Sequence, residues 1–407
     1  MKPRPEPRPA ADAAPMRPGS APGQARYLRL AGGLALESGA HLPEAGLAFR
    51  TWGRLSPEAD NAVIVCHALT GTADADSWWA PLFGPGRALD PARHFIVCSN
   101  ALGSCYGSTG PLSTAPDGKP WGGRFPRVSI RDQVRAQIAL ADALGIRRIR
   151  LVIGGSMGGL QALEWALLDP ERVGAVISIA ASAFHSPWCM AWSEAQRLAL
   201  ASDPKFRGGD YDPLDPPTAG LAAARAMAMV SYRSPASLGQ RFGRRPGAEV
   251  FGPASRHPDD FAVQGWLRHH GEALTRRFDA NSYRLLLDTL DSHDLGRGRG
   301  GCERALKQIR QPVLVGSIGT DGLYVPDEQF YLAHHLPRAT LMAIDSPHGH
   351  DGFLIDAARF EPCLRRFIAE HGLAAVADPP RAVQPAASPA PSLSDKKSIS
   401  SRTAWGM

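Results

Sequence analysis

Short apolar runs alternate with amphipathic segments along most of the chain, which is the pattern of strands and helices in an α/β protein. Runs rich in Val and Ile predict buried strands at residues 61–66, 95–98 and 151–153, and further strands at residues 173–179, 312–318 and 340–344. Two earlier segments, residues 27–36 and 46–52, predict an antiparallel start to the same sheet. Helical periodicity at residues 130–144, 157–168 and 361–370 supplies the remaining elements. We therefore predict a mainly parallel sheet with helices on both faces.

The pattern changes after residue 181, where helical periodicity continues without a buried strand. We predict a helical cap at residues 182–301, inserted into a core of residues 27–181 and 302–371. Residues 1–26 and 372–407 are rich in Pro, Ala and Ser, and we predict them to be disordered tails. Within the cap, helices are predicted at residues 187–201, 218–232, 261–270 and 281–290, and a flexible glycine-rich loop at residues 296–301.

The formal net charge of the 407-residue chain is +6, and most of the excess lies near its two ends. Residues 1–26 hold five basic and two acidic side chains, and residues 373–407 hold four basic and two acidic ones. The remainder therefore has a net charge of only +1. A nearly neutral body argues against nucleic-acid binding, which requires a concentrated basic face.

Several classes of protein are disfavoured by what the chain lacks. No apolar run reaches the roughly 18 residues of a membrane-spanning helix, and the N-terminal segment has no apolar stretch typical of a secretory signal. The six cysteines are scattered without a C-x-x-C pair, which favours free thiols over disulfides or a zinc site. We therefore predict a cytoplasmic protein with no metal centre and no membrane association.

The clearest chemical signal is the pattern Gly154-x-Ser156-x-Gly158 between a predicted strand and a predicted helix. In serine hydrolases and acyltransferases, this pattern forms a sharp turn that exposes the serine hydroxyl. The helix that follows directs its N-terminal N–H groups toward the serine, where negative charge develops during acyl transfer. An ordinary glycine-rich turn is the alternative, but the flanking strand and helix favour a nucleophile at Ser156.

Two further groups follow predicted strands, at the sheet edge where ligands of open α/β sheets bind. Asp321 follows one strand, and His350 follows the last strand. An imidazole activates a serine by taking its proton, and a carboxylate orients the imidazole. The chain order Ser156, Asp321, His350 is that of the α/β-hydrolase fold, which is the fold class we predict. His348 is a competing candidate for the base.

Seven stretches, in the same order, resemble the homoserine O-acyltransferase family, and most closely its O-acetyltransferases. They are CHALTG at residues 66–71, GPGRALD at 84–90, SNALGSCYGSTGP at 99–111, IRD at 130–132, GGSMGG at 154–159, RRFDANSY at 276–283 and DSPHGHD at 345–351. The resemblance covers about residues 27–370 and places the base at His350.

The resemblance implies a ping-pong transfer from an acyl-CoA co-substrate to the side-chain hydroxyl of an amino acid, with no permanently bound cofactor. Ser156 would carry the acyl group, His350 would be the base, and Asp321 would orient the base. The backbone N–H groups of Leu69 and Met157 are the implied oxyanion hole.

The resemblance also implies an acceptor site, with L-homoserine of methionine biosynthesis as the substrate. Arg225 would bind its carboxylate, because a guanidinium fork matches a carboxylate, and Asp351 would bind its ammonium group. Taken alone, Arg225 would be interpreted as a solvated helix residue and Asp351 as a helix cap. A homodimer paired through the cap helices is a further implication.

The residues leave several alternatives open. Gly322 stands where the acetyltransferases usually carry a tryptophan, residues 187–197 match the family only in part, and the loop around residues 244–256 is shorter than in the family. Relatives with the same fold use succinyl-CoA or accept serine. Serine and homoserine differ by one methylene, which provides only about 1–3 kcal/mol of discrimination between substrates. A plain esterase or thioesterase is disfavoured by the pair Arg225 and Asp351. A non-catalytic binding protein of the same fold is disfavoured by the intact catalytic trio.

Overall fold

A twisted sheet forms the centre of the computed structural model, which describes residues 24–252 and 260–373. The strands are β1 Arg26–Arg29, β2 Leu34–Ala35, β3 His41–Leu42, β4 Gly46–Trp52, β5 Ala62–Cys66, β6 Phe95–Ser99, β7 Ile149–Gly155, β8 Val176–Ile179, β9 Val313–Ile318 and β10 Ala339–Ile344. Within the described residues, eight strands pair in the order β1-β4-β6-β5-β7-β8-β9-β10, and β2 and β3 form a separate pair. The strands from β6 to β10 in this order are parallel, and β4 is antiparallel to β1 and β6.

Because both faces of the sheet are buried, the sequences of the central strands are continuous apolar runs. All residues of β5 are buried, yet their side chains alternate between two different clusters. Val63 and Val65 belong to one cluster, and Ile64 and Cys66 belong to the other. This alternation is the two-residue period of a strand, so each face of the sheet has a core of its own.

Helices cover both faces of the sheet, and some begin with a capping motif that can be recognised in the sequence. Ser129 accepts the backbone N–H of Asp132, whose carboxylate accepts the N–H of Ser129, so a capping box begins α2. The α-helices are α1 Ala75–Trp78, α2 Ile130–Ala143, α3 Met157–Leu168, α4 Pro187–Ala201, α5 Thr218–Tyr232, α6 Pro235–Phe242, α7 Gly247–Phe251, α8 Ala262–Thr275, α9 Ala280–Asp291, α10 Cys302–Gln308, α11 Pro326–His335, α12 Gly352–Ile355 and α13 Ala357–Glu370.

The helices α4 to α9 lie between β8 and β9, in the segment predicted to be a cap. The chain leaves and re-enters the core at one point, where the backbone N–H of His185 donates to the carbonyl of His293 and that of Leu295 donates to Ala183, each at 2.9 Å. In the cap, α5 packs against both α4 and α8. The described residues fall within one compact unit, so the division into separate core and cap domains stays a prediction.

Some predicted boundaries differ from the structure. Strand β1 begins at Arg26, one residue inside the predicted N-terminal tail, and Leu373 is buried although it was assigned to the C-terminal tail. Residues 1–23 and 374–407 of the two predicted tails lie outside the described residues. Residues 296–301 form a loop, as predicted, and Arg297 and Arg299 among them form ion pairs at 2.8 Å with Glu37 and Glu164. The flexibility of this segment stays a prediction.

Candidate active site

Ser156 lies at the turn between β7 and α3, in a backbone conformation that side chains seldom adopt. Its φ is 56° and its ψ is −127°, so the residue stands in the sparsely populated left-handed half of the map. The turn tolerates no bulk beside it. A Cβ on Gly154 would lie 2.2 Å from the carbonyl oxygen of Gly158, and one on Gly155 would lie 2.5 Å from the Phe353 ring. This is the strand-to-helix turn that the glycine pattern predicts.

The three predicted catalytic side chains meet at this turn. His350 Nε2 lies 2.8 Å from Ser156 Oγ, and His350 Nδ1 lies 2.7 Å from Asp321 Oδ2. Because a carboxylate only accepts, Nδ1 carries the proton and Nε2 is free to accept the serine hydroxyl. The other oxygen of Asp321 accepts the backbone N–H groups of Leu323 at 2.8 Å and Tyr324 at 3.0 Å.

Burial strengthens the interactions of this trio. Ser156, Asp321 and His350 are 8%, 4% and 3% exposed. Burial alone lowers the pKa of His350, but attraction to Asp321 and the hydrogen bond between them raise the pKa above its ordinary value. A base with a raised pKa takes the serine proton more readily once it is neutral. The competing base, His348, contacts the hydroxyl of Ser237 at 3.1 Å instead.

The loop that contains Leu69 lies beside the N-terminus of α3. A Cβ on Gly158 would lie 2.1 Å from the carbonyl oxygen of Cys66, so the end of β5 and the first turn of α3 are in contact. His67 holds the loop in place, because its Nε2 accepts the Ala101 N–H at 2.9 Å and its Nδ1 donates to the Ala68 carbonyl at 2.7 Å. Burial lowers the pKa of His67 to about 4, which keeps this ring neutral.

The N–H groups of the first turn of a helix have no acceptor within the helix. Met157 is the first residue of α3, so its N–H is available beside Ser156. The adjacent loop carries Leu69, which is buried. The arrangement suits an oxyanion hole, although the roles of Leu69 and Met157 remain predictions.

Arg225 and Asp351 lie near the trio but do not pair with each other. Asp351 forms an ion pair with Arg233, in which Oδ2 lies 3.0 Å from Nε, and the Arg225 guanidinium lies 5.4 Å from the centre of the Tyr232 ring. The Tyr232 ring in turn lies 5.7 Å from that of His350. Burial raises the pKa of Asp351, and the charges of Arg233 and Arg225 oppose this increase. Sequence reasoning missed Arg233, because an arginine after the last residue of a helix has no distinguishing pattern.

Comparison with known proteins places these residues in a family. A family model for the alpha/beta hydrolase fold matches residues 61–357. The chain is 48% identical over 349 residues to the homoserine O-acetyltransferase of Nostoc punctiforme, across 84% of this chain and 96% of the relative. The chain belongs to the homoserine O-acetyltransferase family. The predicted α/β-hydrolase fold and the family resemblance are therefore confirmed.

Solved structures add a second kind of relative. Homoserine O-acetyltransferase from Staphylococcus aureus superimposes with a TM-score of 0.68 at 30% identity, over 84% of this chain and 94% of that chain. Esterase E22 superimposes with a TM-score of 0.77 at 25% identity, over 84% of this chain and 99% of that chain. Architecture alone therefore does not separate the homoserine O-acetyltransferase family from ester hydrolases.

The position that departs from the family pattern has a specific environment. The Gly322 carbonyl accepts the indole N–H of Trp188 at 2.8 Å, so a tryptophan of α4 lies against the loop that contains Asp321.

Glu328, in the first turn of α11, is a further acid near the trio. Burial, together with the charge of Asp321, raises the pKa of Glu328 to about 7. No pattern in the sequence distinguishes Glu328 from an ordinary first-turn acid.

The described residues contain no cluster of His, Cys, Asp and Glu that could hold a metal ion. Across the same residues, no helix is long and apolar enough to cross a membrane. The six cysteines form no disulfide, and Cys66, Cys98, Cys105 and Cys189 are buried. The chemical groups gathered around Ser156 are hydroxyl, imidazole, carboxylate and guanidinium, which suit acyl transfer.

Proposed function

We propose that the protein is an acyl-CoA-dependent O-acetyltransferase that acetylates the side-chain hydroxyl of L-homoserine in methionine biosynthesis. One observation carries the proposal: the buried Ser156, His350 and Asp321 lie next to an arginine and an aspartate suited to a free amino acid, in a member of the homoserine O-acetyltransferase family. An ester hydrolase of apolar substrates has no need for that second pair of charges.

The first half-reaction forms an acyl-enzyme. His350 Nε2 takes the proton of Ser156 as Oγ attacks the thioester carbonyl carbon. The N–H groups of Leu69 and Met157 stabilise the negative oxygen of the tetrahedral intermediate. The C–S bond then breaks, and the coenzyme A thiolate leaves with the proton from His350. Asp321 stabilises the imidazolium through its hydrogen bond to Nδ1.

The second half-reaction consumes the acyl-enzyme. Arg225 binds the carboxylate of homoserine, and Asp351 binds its ammonium group. His350 takes the proton of the homoserine hydroxyl as its oxygen attacks the acyl carbon. The bond between the acyl carbon and Ser156 Oγ then breaks, and His350 returns the proton to Oγ. Arg233 partly neutralises the charge of Asp351, and it therefore sets how strongly this carboxylate attracts the ammonium group.

Hydrolysis is the second candidate function, favoured by the likeness to esterase E22. In that case water enters the site in place of homoserine, and the acyl group leaves as a carboxylic acid. Succinyl-CoA as donor and L-serine as acceptor are variants of the first candidate.

One assay separates these functions. The release of coenzyme A thiol is measured with acetyl-CoA or succinyl-CoA, each with L-homoserine, L-serine or no acceptor. We expect release that depends on homoserine and is fastest with acetyl-CoA. Equal release with and without an amino acid would identify a thioesterase and remove the acceptor roles of Arg225 and Asp351.

We also propose a cytoplasmic homodimer paired through the cap. Five large apolar side chains on α4 and α5 are exposed: Trp188 at 52%, Met190 at 39%, Leu198 at 63%, Met227 at 37% and Val230 at 42%. Burying them between two copies would remove apolar surface from water. Light scattering at working concentration should give twice the chain mass, and a monomer would contradict the proposal.

A further inference from the structure

The imidazole of His350 is packed against three aromatic rings. The centre of the Tyr324 ring lies 5.5 Å from that of His350 with 35° between the two planes, and the Tyr232 ring lies at 5.7 Å and 40°. Phe353 also lies at 5.5 Å, but its plane is closer to perpendicular, at 69°. Rings at these separations that are closer to parallel are offset-stacked, so the two tyrosines are stacked on the base.

Tyr324 also contacts the acid of the trio. Its backbone N–H donates to Asp321 Oδ1 at 3.0 Å, while its ring stacks on His350. The side chain is in the interior, because Tyr324 is only 1% exposed. One buried residue therefore contacts the carboxylate through its backbone and the imidazole through its ring.

The Tyr324 hydroxyl is held by a second histidine, His185, which the acyl-transfer mechanism does not use. Tyr324 Oη lies 3.0 Å from His185 Nδ1. His185 Nε2 lies 3.4 Å from Ser193 Oγ and 3.5 Å from Asp291 Oδ1. Burial lowers the pKa of His185 to about 3, so the ring is neutral and has one donor and one acceptor. Because a carboxylate only accepts, Nε2 carries the proton and Nδ1 accepts the tyrosine hydroxyl.

This hydrogen bond determines which part of the tyrosine acts on the trio. The hydroxyl of Tyr324 donates to His185, so it does not compete with Ser156 for Nε2 of His350. The group that faces the base is the aromatic ring. The effect of Tyr324 on the base is therefore that of a ring, and not that of a hydrogen-bonding hydroxyl.

His350 becomes a cation each time it takes the proton of Ser156. An aromatic face attracts a cation within about 6 Å of its centre, and it does so more strongly where water is excluded. The Tyr232 ring is shared with Arg225, whose guanidinium lies 5.4 Å from its centre. Tyr324 is fully buried, so its ring is well placed to favour the charged imidazole over the neutral one.

From these observations we infer that Tyr324 is a positioning residue of the trio, whose stacked ring holds the imidazole of His350 beside Ser156 and stabilises its protonated form. The inference rests on the part of the proposed function in which His350 is the base for Ser156. It is independent of the acyl donor and of the acceptor.

Charged side chains also surround His350, and a test that varies pH must keep them constant. They come from the loop after β9, from α11, from the loop that contains His350 and from the end of α5: Asp321, Glu328, Asp351, Arg225 and Arg233. All of them are retained in the variants proposed below. A difference in pH dependence between these variants is therefore due to the substituted side chain.

The test follows the base without coenzyme A or an amino acid. A fluorophosphonate labels Ser156 when Oγ attacks phosphorus, the P–F bond breaks with loss of fluoride, and His350 takes the hydroxyl proton. The labelling rate is measured from about pH 5 to about pH 9, and it should rise as His350 becomes neutral. The replacements Tyr324→Leu and Tyr324→Met remove the ring, and the flexible methionine refills the space. Tyr324→Phe keeps the ring and loses only the hydroxyl.

Tyr283→Leu is the matched control. Tyr283 is 0% exposed and its hydroxyl donates to Gln196 at 2.6 Å, so it resembles Tyr324 in burial and in hydrogen bonding. Its ring contacts Phe278 instead of the trio. The control therefore measures what the loss of a buried tyrosine does to the fold alone.

We expect the midpoint of the rise to move to lower pH by about 0.5–1.5 units in Tyr324→Leu and Tyr324→Met, because the protonated imidazole loses a stabilising ring. Tyr324→Phe and Tyr283→Leu should stay within about 0.3 units of the parent chain. The inference is overturned if the midpoint stays in place or rises in the two variants without a ring. An equal shift in Tyr324→Phe or in Tyr283→Leu would also overturn it.

A second measurement separates this inference from the proposed function. The pKa of His350 is read by NMR in protein labelled with ¹³C at histidine Cε1, and its signal is assigned by its loss in His350→Gln. A lower pKa in Tyr324→Met than in the parent chain supports the inference, even if no acyl donor reacts. An equal pKa in the two proteins refutes it, even if acetyl transfer to homoserine is observed.

Discussion

Replacing Asp321 with asparagine tests the catalytic trio, because the structure predicts which side-chain atom of the asparagine would face His350. Two backbone N–H groups, of Leu323 and Tyr324, donate to Asp321 Oδ1. In Asp321→Asn these donors hold the amide oxygen in the same place, so the NH₂ group takes the position that faces His350. An NH₂ group only donates, and His350 must then present an unprotonated Nδ1 toward it.

The consequence is the wrong tautomer at the serine. With its proton on Nε2, His350 can no longer accept the hydroxyl proton of Ser156, which lies 2.8 Å away. A change of this kind in a serine–histidine–aspartate triad lowers kcat by roughly 10⁴-fold, or about 5 kcal/mol of transition-state stabilisation. We expect a loss of this size, with little change in the fold, because size and backbone contacts are retained.

The assay follows release of coenzyme A from acetyl-CoA with saturating homoserine across a range of pH. In the parent chain, the rate should rise with pH through a value above 6.5, because the pKa of His350 is raised and only the neutral ring is a base. In Asp321→Asn the rise should move to lower pH, since the charge of Asp321 is one cause of the raised pKa.

Asp345→Asn is the matched control, because Asp345 is exposed after β10 and outside the trio. It should retain the activity and pH profile of the parent chain. The reasoning is refuted if Asp321→Asn keeps more than about a tenth of kcat, since a loss below about 1.4 kcal/mol is too small for a wrong tautomer.

Two further changes test the acceptor site and the turn at Ser156. Arg225→Ala should raise KM for homoserine by about tenfold or more while acetylation of the enzyme proceeds at its normal rate, as seen by single-turnover kinetics; equal slowing of both steps would contradict its role. Gly155→Ala should lower the free energy of unfolding by roughly 1–3 kcal/mol in a urea titration, because the new methyl group would lie 2.5 Å from the Phe353 ring. An unchanged unfolding midpoint would show that the turn accommodates a methyl group at residue 155, which would contradict this reasoning.

Periodicity and motif order predicted the parts of the molecule that depend on local chemistry. The strand before Ser156, the glycines around it and the helix after it each have a physical reason that is visible in the sequence. The cap helices α4 and α5 begin and end at the predicted residues, since long amphipathic segments bounded by Pro and Ser are strong signals. The order Ser156, Asp321, His350, together with the family resemblance that favoured His350 over His348, predicted the three side chains that the structure brings together. Both Ser156 and Asp321 lie within hydrogen-bond distance of His350.

What depends on tertiary contact could not be predicted. Residues 296–301 have a flexible composition, yet Arg299 is held by the buried Glu164 at 2.8 Å, and no local pattern indicates a partner 135 positions away. Likewise, Arg233 reaches Asp351 only because the end of α5 lies over the catalytic loop. A cavity of about 810 Å³ at the start of α5 is lined by three segments that lie far apart in the sequence, and no local pattern relates them.

The central claim is that Ser156 carries the acetyl group between acetyl-CoA and homoserine, and intact-protein mass spectrometry tests it most directly. Acetyl-CoA alone should add one acetyl group, located on Ser156 by peptide mapping and absent in Ser156→Ala. Addition of L-homoserine should remove this group and yield O-acetylhomoserine. Transfer to homoserine by Ser156→Ala at the normal rate, or an acetyl-enzyme that decays equally fast without homoserine, would contradict the account.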